Sequence, residues 1–238
     1  MSETVHNVDP GEINKFEKLA ARWWDPNSEF KPLHDINPLR LDYIEAQAGR
    51  QGLKGKQVLD VGCGGGLLTE AMATRGAIVT GIDMGKAPLS VAQLHQHESG
   101  LEIDYQQITA EQMAATHSGR FDIVTCLEML EHVPDPAAVI NACTQLLKDD
   151  GRLFLSTINR NPKAWLFAVI GAEYLFNILP KGTHEYSKFI RPSEMESWAR
   201  NSGLQLIDLT GMSYNPLARE YSLGTDVSVN YLASFHKA

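Results

Sequence analysis

A glycine-rich segment that follows a short apolar run constrains the fold of this chain more than any other feature. Residues 57–66 read Gln-Val-Leu-Asp-Val-Gly-Cys-Gly-Gly-Gly, and residues 67–73 continue as a helical sequence. Val58, Leu59 and Val61 are typical of a parallel strand that is buried on both faces. The glycines carry no Cβ, which lets a ligand approach the backbone. The pattern predicts a nucleotide-binding element of strand, glycine turn and helix, without saying which nucleotide it binds.

Two acids narrow the choice of nucleoside. The dinucleotide fingerprint needs glycine where this chain has Leu67. Asp60 lies just before the turn, whereas a pyrophosphate prefers bare N–H groups without a nearby carboxylate. Asp83 ends the next strand-like run, where an acid can accept hydrogen bonds from both ribose hydroxyls. These features favour a cationic ligand without phosphate, such as S-adenosylmethionine; the alternative is a structural glycine turn with a helix-capping Asp.

The same residues resemble the class I S-adenosylmethionine-dependent methyltransferases. The first motif of that family matches Val58–Gly66, and its ribose-binding acid matches Asp83. Further segments, spread over almost the whole chain, resemble more narrowly the bacterial O-methyltransferases of ubiquinone biosynthesis. These segments are His6–Asp9, Phe16–Glu17, Arg22–Asp25, Glu29–His34, Ile36–Arg40, Leu127–Pro136 and Pro180–His184.

The resemblance implies an activity, a cofactor and a set of binding residues. The activity is transfer of methyl from S-adenosyl-L-methionine to phenolic hydroxyls of polyprenylated precursors, 2-polyprenyl-6-hydroxyphenol and 3-demethylubiquinol, in both O-methylation steps. Arg40 matches a cofactor contact, and its guanidinium suits the carboxylate of the ligand. Leu127 is expected to contact the cofactor through its backbone. The full cofactor-binding set is Arg40, Asp60, Gly62, Gly64, Asp83, Met84 and Leu127.

Other functions remain open beside this one. The chain can be a methyltransferase for another small or lipid acceptor, or a non-catalytic module that binds a nucleoside or a lipid. The resemblance also implies contact with other proteins of ubiquinone biosynthesis.

An acidic motif after the fourth predicted strand supplies the candidate catalytic groups. Glu128, Glu131 and His132 stand at i, i+3 and i+4, so a helical turn would project all three toward the ligand edge. Two carboxylates and an imidazole suit Mg²⁺ or Mn²⁺ better than zinc. A phenol has a pKa of about 10, so methylation near neutral pH needs a metal or a base such as His132 or a glutamate. The alternative is that both glutamates are solvated acids favoured at a helix start.

The order of predicted elements indicates an α/β fold. Strand-like runs alternate with helical ones from residue 57 onward, as in a doubly wound parallel sheet. Leu204–Thr210 and Val227–Phe235 follow without a clear helix between them and predict an antiparallel pair at one edge. With the resemblance, we expect a mostly parallel, seven-stranded, Rossmann-like sheet with an antiparallel C-terminal edge strand. Residues 51–238 would form this methyltransferase domain.

The first 50 residues are predicted to form a helical lid over the ligand edge. Asp9 and Pro10 predict the start of one helix, and Asn37 with Pro38 predict the start of a second. A lid here would exclude water from a methyl transfer. The alternative for Trp23 and Trp24 is that the helices only cover the sheet.

Composition limits the partners and the compartment. The net charge of −8 argues against a nucleic-acid partner, which needs a basic face. The three cysteines have no C-x-x-C spacing and read as reduced thiols of a cytosolic protein. The N-terminus lacks the features of a signal peptide.

One hydrophobic insertion, at about residues 159–191, departs from the acidic average. Its apolar run from Ala164 to Leu179 would span about 24 Å as a helix, too short to cross a bilayer. Residues 159–191 carry five basic and two acidic residues in total. The sequence therefore predicts either a buried helix or contact with an anionic phospholipid surface through Trp165, Phe167, Lys163 and Lys181. In the second case the protein is cytoplasmic and peripherally associated with the inner membrane.

Overall fold

A twisted sheet forms the centre of the computed structural model, which describes residues 7–166, 186–215 and 217–237. Its strands are β1 Gln57–Val61, β2 Ile78–Asp83, β3 Asp104–Gln107, β4 Phe121–Leu127, β5 Leu147–Ile158, β6 Leu204–Asn215, β7 Glu220–Gly224 and β8 Asn230–Lys237. Their order across the sheet is β3-β2-β1-β4-β5-β8-β6-β7. Neighbours from β3 to β5 pair in parallel, and the remaining neighbours are antiparallel. The predicted α/β class and mostly parallel sheet are confirmed.

Helices cover both faces of this sheet. They are α1 Pro10–Leu19, α2 Lys31–Gln47, α3 Leu67–Thr74, α4 Lys86–Ser99, α5 Ala110–His117, α6 Pro136–Leu146, α7 Pro162–Leu166 and α8 Pro192–Asn201. One cluster of buried apolar side chains packs α5, α6 and α8 against the strands, and a second cluster packs α2 and α3. Burial on both faces explains why β1 is apolar apart from Gln57 at its start and Asp60.

The strand order reverses between β1 and β4, which fixes where a ligand binds. Val58 of β1 lies opposite Ile123 of β4, so the carboxyl ends of both strands meet at one edge. In open α/β sheets this reversal opens a crevice outside the strand ends. The glycine turn and the acidic motif both follow these strands, and the fold brings them together there.

The antiparallel region has one more strand than the sequence predicts. The predicted antiparallel pair of β6 and β8 is confirmed, but β8 lies between β5 and β6, and β7 forms the outer edge. The described sheet therefore has eight strands where we expected seven. The missed strand, Glu220–Gly224, has no buried residue, so it lacks the apolar signal of a covered strand.

The N-terminal helices differ in how well the sequence predicts their starts. Asp9 caps α1 by accepting hydrogen bonds from the N–H groups of Gly11 and Glu12, as predicted. The predicted start of α2 at Asn37 is wrong, because α2 begins at Lys31 and contains Pro38. Asn37 donates to the backbone oxygen of Leu67 at 3.0 Å instead of capping its own helix, which holds α2 beside α3.

Most of the hydrophobic insertion, including Phe167 and Lys181, lies outside the described residues. Its described beginning is α7, where Trp165 and Leu166 are 44% and 48% exposed. Across the ranges that the structure describes, no helix is long and apolar enough to cross a membrane.

Candidate active site

A cavity of about 190 Å³ opens at the carboxyl ends of β1, β2 and β4, beneath α1 and α2. The sheet edge contributes acids from three different strand ends. The N-terminal helices contribute the cation Arg40, the acid Glu12, the amide Asn37 and several apolar side chains. Its lining includes Arg40, Asp60, Asp83, Glu128, His132 and Phe16.

The glycine turn and Asp83 form one wall of this cavity. Gly62 and Gly64 have φ angles of 74° and 54°, a region that favours glycine. Asp83 accepts hydrogen bonds from the N–H groups of Gly64 at 2.9 Å and Gly85 at 2.7 Å. These bonds hold its carboxylate at the cavity, and each oxygen keeps a lone pair for a ligand hydroxyl. Burial raises the pKa of Asp83 above its ordinary value, although these N–H groups oppose the shift.

Asp60 lies deeper, at the end of β1. Its two oxygens accept hydrogen bonds from the hydroxyls of Thr69 at 2.6 Å and Thr125 at 2.7 Å. Burial raises the pKa of Asp60 to about 6, and the two hydroxyls and the Arg40 charge limit the shift. Near neutral pH the carboxylate is mostly ionised, so a cationic ligand would be stabilised here.

Arg40 of α2 lines the cavity and has buried guanidinium donors that are not used in hydrogen bonds to the described residues. Its Nη2 lies 3.0 Å from Glu128 Oε1, and the residue is only 5% exposed. Among the described residues, Nε and Nη2 have no hydrogen-bond partner, so the contact with Glu128 is an ion pair without hydrogen-bond geometry. A buried guanidinium with unsatisfied N–H groups fits the carboxylate of S-adenosylmethionine. The donors of Arg40 and the acids Asp60 and Asp83 together fit this cofactor.

Trp23 and Trp24 seal the outer side of the glycine turn. A Cβ at Gly64 or Gly65 would overlap the indole of Trp23, so these glycines leave room for a tryptophan, not only for a ligand. Trp24 donates from Nε1 to the Gly65 oxygen at 2.8 Å and stacks on His95. The two tryptophans therefore fix the N-terminal helices to the cofactor turn, a role that the sequence left open.

The acidic motif does not have the predicted one-sided geometry. Glu128 adopts a left-handed backbone with φ of 53°, and only one 3₁₀ turn, Leu130–His132, follows it. Glu128 accepts a hydrogen bond from Ser156 at 2.7 Å, whereas Glu131 accepts one from Thr157 at 2.8 Å. Glu131 is 6% exposed and does not line the cavity. Glu128 and His132 do line it, so the expected projection of all three side chains is wrong.

These separate partners bear on the predicted metal. In the described part of the chain, no group of three or more His, Cys, Asp or Glu side chains is placed to hold a metal ion. Glu128 is engaged by Arg40, and Glu131 by Thr157. Glu128, Glu131 and His132, as arranged here, do not fit Mg²⁺.

His132 is held by the first helix. Its Nδ1 lies 3.0 Å from Glu12 Oε2, and its ring contacts Phe16 edge-on with centroids 5.2 Å apart. Burial lowers the pKa of the imidazole, but the Glu12 hydrogen bond and the nearby carboxylates outweigh it, and the net shift is upward. No feature of the sequence predicts the Glu12 contact, because the two residues are 120 positions apart.

Comparison with known proteins identifies the family. A family model described as a methyltransferase domain matches residues 33–209. The ubiquinone biosynthesis O-methyltransferase of Pseudomonas paraeruginosa is 67% identical over 96% of this chain and 97% of its own length. The protein of the same name from Nitrosococcus oceani is 64% identical over 98% of both chains. The chain belongs to the ubiquinone biosynthesis O-methyltransferase family. Membership confirms the predicted enzyme class, with S-adenosylmethionine as the cofactor.

Solved structures agree on the fold. Magnesium protoporphyrin IX methyltransferase from Synechocystis PCC 6803 with bound SAH has a TM-score of 0.66, 18% identity and 94% coverage of both chains. The same enzyme with bound SAM has a TM-score of 0.64, 18% identity, and coverage of 98% of this chain and all of the other. At this identity the likeness concerns the fold alone, and it supports the class I methyltransferase architecture.

Proposed function

We propose that this protein transfers a methyl group from S-adenosylmethionine to a phenolic hydroxyl of polyprenylated ubiquinone precursors. The acceptors are 2-polyprenyl-6-hydroxyphenol and 3-demethylubiquinol, one for each O-methylation step. The observation that carries this proposal is that one cavity contains both the acids Asp60 and Asp83 at the strand ends and the His132 imidazole beneath α1. Family membership supports the ubiquinone pathway.

The strand-end half of the cavity would bind the cofactor. The Asp83 carboxylate accepts hydrogen bonds from the ribose hydroxyls of the cofactor, and the Arg40 guanidinium donates hydrogen bonds to its carboxylate. The Asp60 carboxylate stabilises the positive charge of the bound S-adenosylmethionine. Gly62, Gly64, Met84 and Leu127 line the same wall and contribute close contacts. When bound, S-adenosylmethionine supplies an electrophilic sulfonium methyl group, and the transfer leaves S-adenosylhomocysteine.

The half beneath α1 would bind and deprotonate the acceptor. His132 Nε2 takes the phenolic proton as the oxygen attacks the methyl carbon, so the attacking oxygen becomes a better nucleophile. Glu128 keeps Arg40 in place, and Glu131 supports the turn that carries His132. Residues 1–50 act as a lid on the domain of residues 51–238, and Phe16 and Trp23 keep water away from the reacting atoms.

Access to a polyprenyl substrate would require a membrane. Each CH₂ of the tail contributes about 0.8 kcal/mol when buried, so the substrate stays in the bilayer. The insertion around Trp165 and Phe167 is our candidate contact with anionic phospholipid, which makes the protein a peripheral one at the cytoplasmic side of the inner membrane. Lys163 is paired with Asp226 at 2.9 Å, so its charge is partly compensated. Other proteins of ubiquinone biosynthesis would meet it there.

The reaction is tested with purified protein, S-adenosylmethionine and a short-tailed catechol. We expect an O-methylated product by mass spectrometry, formed at the same rate with and without a chelator, since the donor set does not fit a metal. A panel of other phenols, amines and lipids checks the competing acceptors. Cofactor binding without turnover on any phenol would support the non-catalytic alternative. A rate that falls when a chelator is added would support the metal site that the sequence predicts.

Membrane contact is tested by vesicle co-sedimentation. We expect binding to vesicles with anionic lipid, little binding to zwitterionic vesicles, and release as salt rises. Lys163→Glu combined with Lys181→Glu should abolish binding but not methylation of the short-tailed catechol. The matched control is Lys31→Glu with Lys148→Glu, which changes the charge equally at ion-paired lysines elsewhere. If the first double variant still sedimented with vesicles, the contact would lie elsewhere.

A further inference from the structure

Glu12 of α1 is a buried acid whose two oxygens serve different partners. The residue is 6% exposed although α1 lies on the surface of the molecule. Oε1 accepts from Lys15 at 2.8 Å and Lys188 at 3.0 Å. Oε2 lies 3.0 Å from His132 Nδ1. A helix-start acid is expected to be solvated, so burial against an imidazole indicates a more specific role.

The contact determines which nitrogen of His132 carries the proton. A carboxylate only accepts hydrogen bonds, so Nδ1 must be the donor. In the neutral ring Nε2 then has the lone pair, and within the described part of the chain it has no hydrogen-bond partner. This is the protonation pattern that a proton acceptor for the phenol needs, since His132 lines the cavity.

The same helix also fixes the plane of the ring. Phe16 lies one turn after Glu12, on the same face of α1, and meets the His132 ring at 89°. One helix face therefore sets both the tautomer and the orientation of the imidazole. Because α1 belongs to the N-terminal lid, the base is complete only when that helix is docked.

We propose that Glu12 is a positioning residue that holds His132 in the Nδ1-protonated tautomer, with Nε2 aimed at the acceptor. This inference rests on the proposed function, because it assigns Glu12 to the deprotonation step. The proton of the phenol passes to Nε2, and Glu12 stabilises the imidazolium that forms without itself taking a proton.

Glu12→Gln is the sharpest variant, because the shape of the side chain is kept. Two lysine ammonium groups face Oε1, so the glutamine oxygen will stay on that side and its NH₂ will face His132. An NH₂ group donates, so the ring is forced into the Nε2-protonated tautomer, which cannot accept the phenolic proton. We expect kcat to fall by about 10- to 100-fold with the Kd for S-adenosylmethionine unchanged.

Three controls separate positioning from a structural role. Lys15→Gln removes a partner of Oε1 without touching His132, and should leave kcat unchanged. Glu12→Gln introduced into a His132→Gln background should cause no further loss, because residues that act as one unit are not additive. Nitrogen-15 NMR of the imidazole, with His132→Gln to assign the signal, should show the tautomer exchanged in Glu12→Gln. The NMR measurement needs no turnover, so it decides the tautomer even if the acceptor has been misidentified.

The outcomes distinguish this inference from the proposed function. A wild-type rate in His132→Gln would overturn the role of His132 as base in the proposed function. If His132 is required but Glu12→Gln retains its tautomer or its kcat, only the positioning role of Glu12 is overturned. If Glu12→Gln lowered kcat equally in the wild-type and His132→Gln backgrounds, the positioning role would likewise be overturned. Glu12 would then act through the lid and not through His132.

Discussion

The two halves of the cavity are built in different ways. The cofactor half takes Asp60, Gly64 and Asp83 from two consecutive strand ends, and Asp83 is held by backbone N–H groups within the same loops. The acceptor half joins His132 to Glu12, which are 120 positions apart, and to Phe16. Apart from Arg40, which α2 supplies, the first is a local product of strand and turn, whereas the second exists only after α1 has docked. We therefore expect substitutions in the cofactor half to change binding and those in the acceptor half to change turnover.

The largest expected effect tests the acceptor half. His132→Ala should lower kcat by about 10²- to 10⁴-fold, the usual contribution of a general base, and leave the Kd for S-adenosylmethionine nearly unchanged. Steady-state kinetics and calorimetry measure the two quantities. His117→Ala, at a surface histidine bonded to Thr116, is the matched control. A loss confined to cofactor binding would place His132 in the wrong half.

The next effect tests the cofactor half. Asp83→Ala should weaken S-adenosylmethionine binding by about 1.5–3 kcal/mol, because hydrogen bonds to a charged group are lost. Calorimetric titration gives the Kd, with the exposed Asp104 changed to Ala on the adjacent strand as the control. An unchanged Kd in a correctly folded variant would refute the ribose assignment.

A third variant tests the contact of Trp23 with the glycine turn, which connects the N-terminal helices to the cofactor half. Gly65→Ala places a methyl group against the Trp23 indole and should displace it, at a cost of about 1–3 kcal/mol in the free energy of unfolding. Denaturant unfolding followed by tryptophan fluorescence measures this. Gly224→Ala, where a Cβ meets nothing within 4 Å, is the control. Equal stability of the two variants would mean that Trp23 is not fixed by the glycine turn.

The smallest effect concerns Glu131, which supports the acceptor half from within the core. Burial and then the Glu128 charge raise the pKa of Glu131 to about 7, above its ordinary value of 4.5. A raised folded pKa means that the contribution of Glu131 to stability is full below about pH 4.5 and is lost as the pH rises through about 7. Glutamine does not titrate, so Glu131→Gln should gain about 1–2 kcal/mol relative to wild type between pH 5 and pH 8.

Thermal unfolding at these two pH values measures the difference, with the exposed Glu102→Gln as the control for losing one carboxylate. A gap between wild type and Glu131→Gln that does not change with pH would show that Glu131 is not a buried acid in the folded protein. We also expect Glu131→Gln to lower kcat, because it loosens the turn that carries His132.

Much of the fold was predictable because its signals are local. Buried strands such as β1 and β4 are apolar runs, and Asp9 with Pro10 predicts the start of α1. The sequence predictions were wrong where an element is determined by a contact with residues outside its own segment. The polar edge strand β7 exists only because β6 is beside it, and α2 extends through Pro38 because its start is set by residues upstream of Asn37.

The sequence by itself determined the parallel part of the sheet, the glycine turn and the two acids at the strand ends, because strand period and turn chemistry act over a few residues. It also named His132 or a glutamate as the candidate base. Only the tertiary structure decided what the acidic motif does. A left-handed Glu128 separates the two glutamates, pairing one with Arg40 and burying the other against Thr157. The partner of His132 was likewise decided by docking of α1, since burial of an apolar helix face, not any local pattern, brings Glu12 to the imidazole.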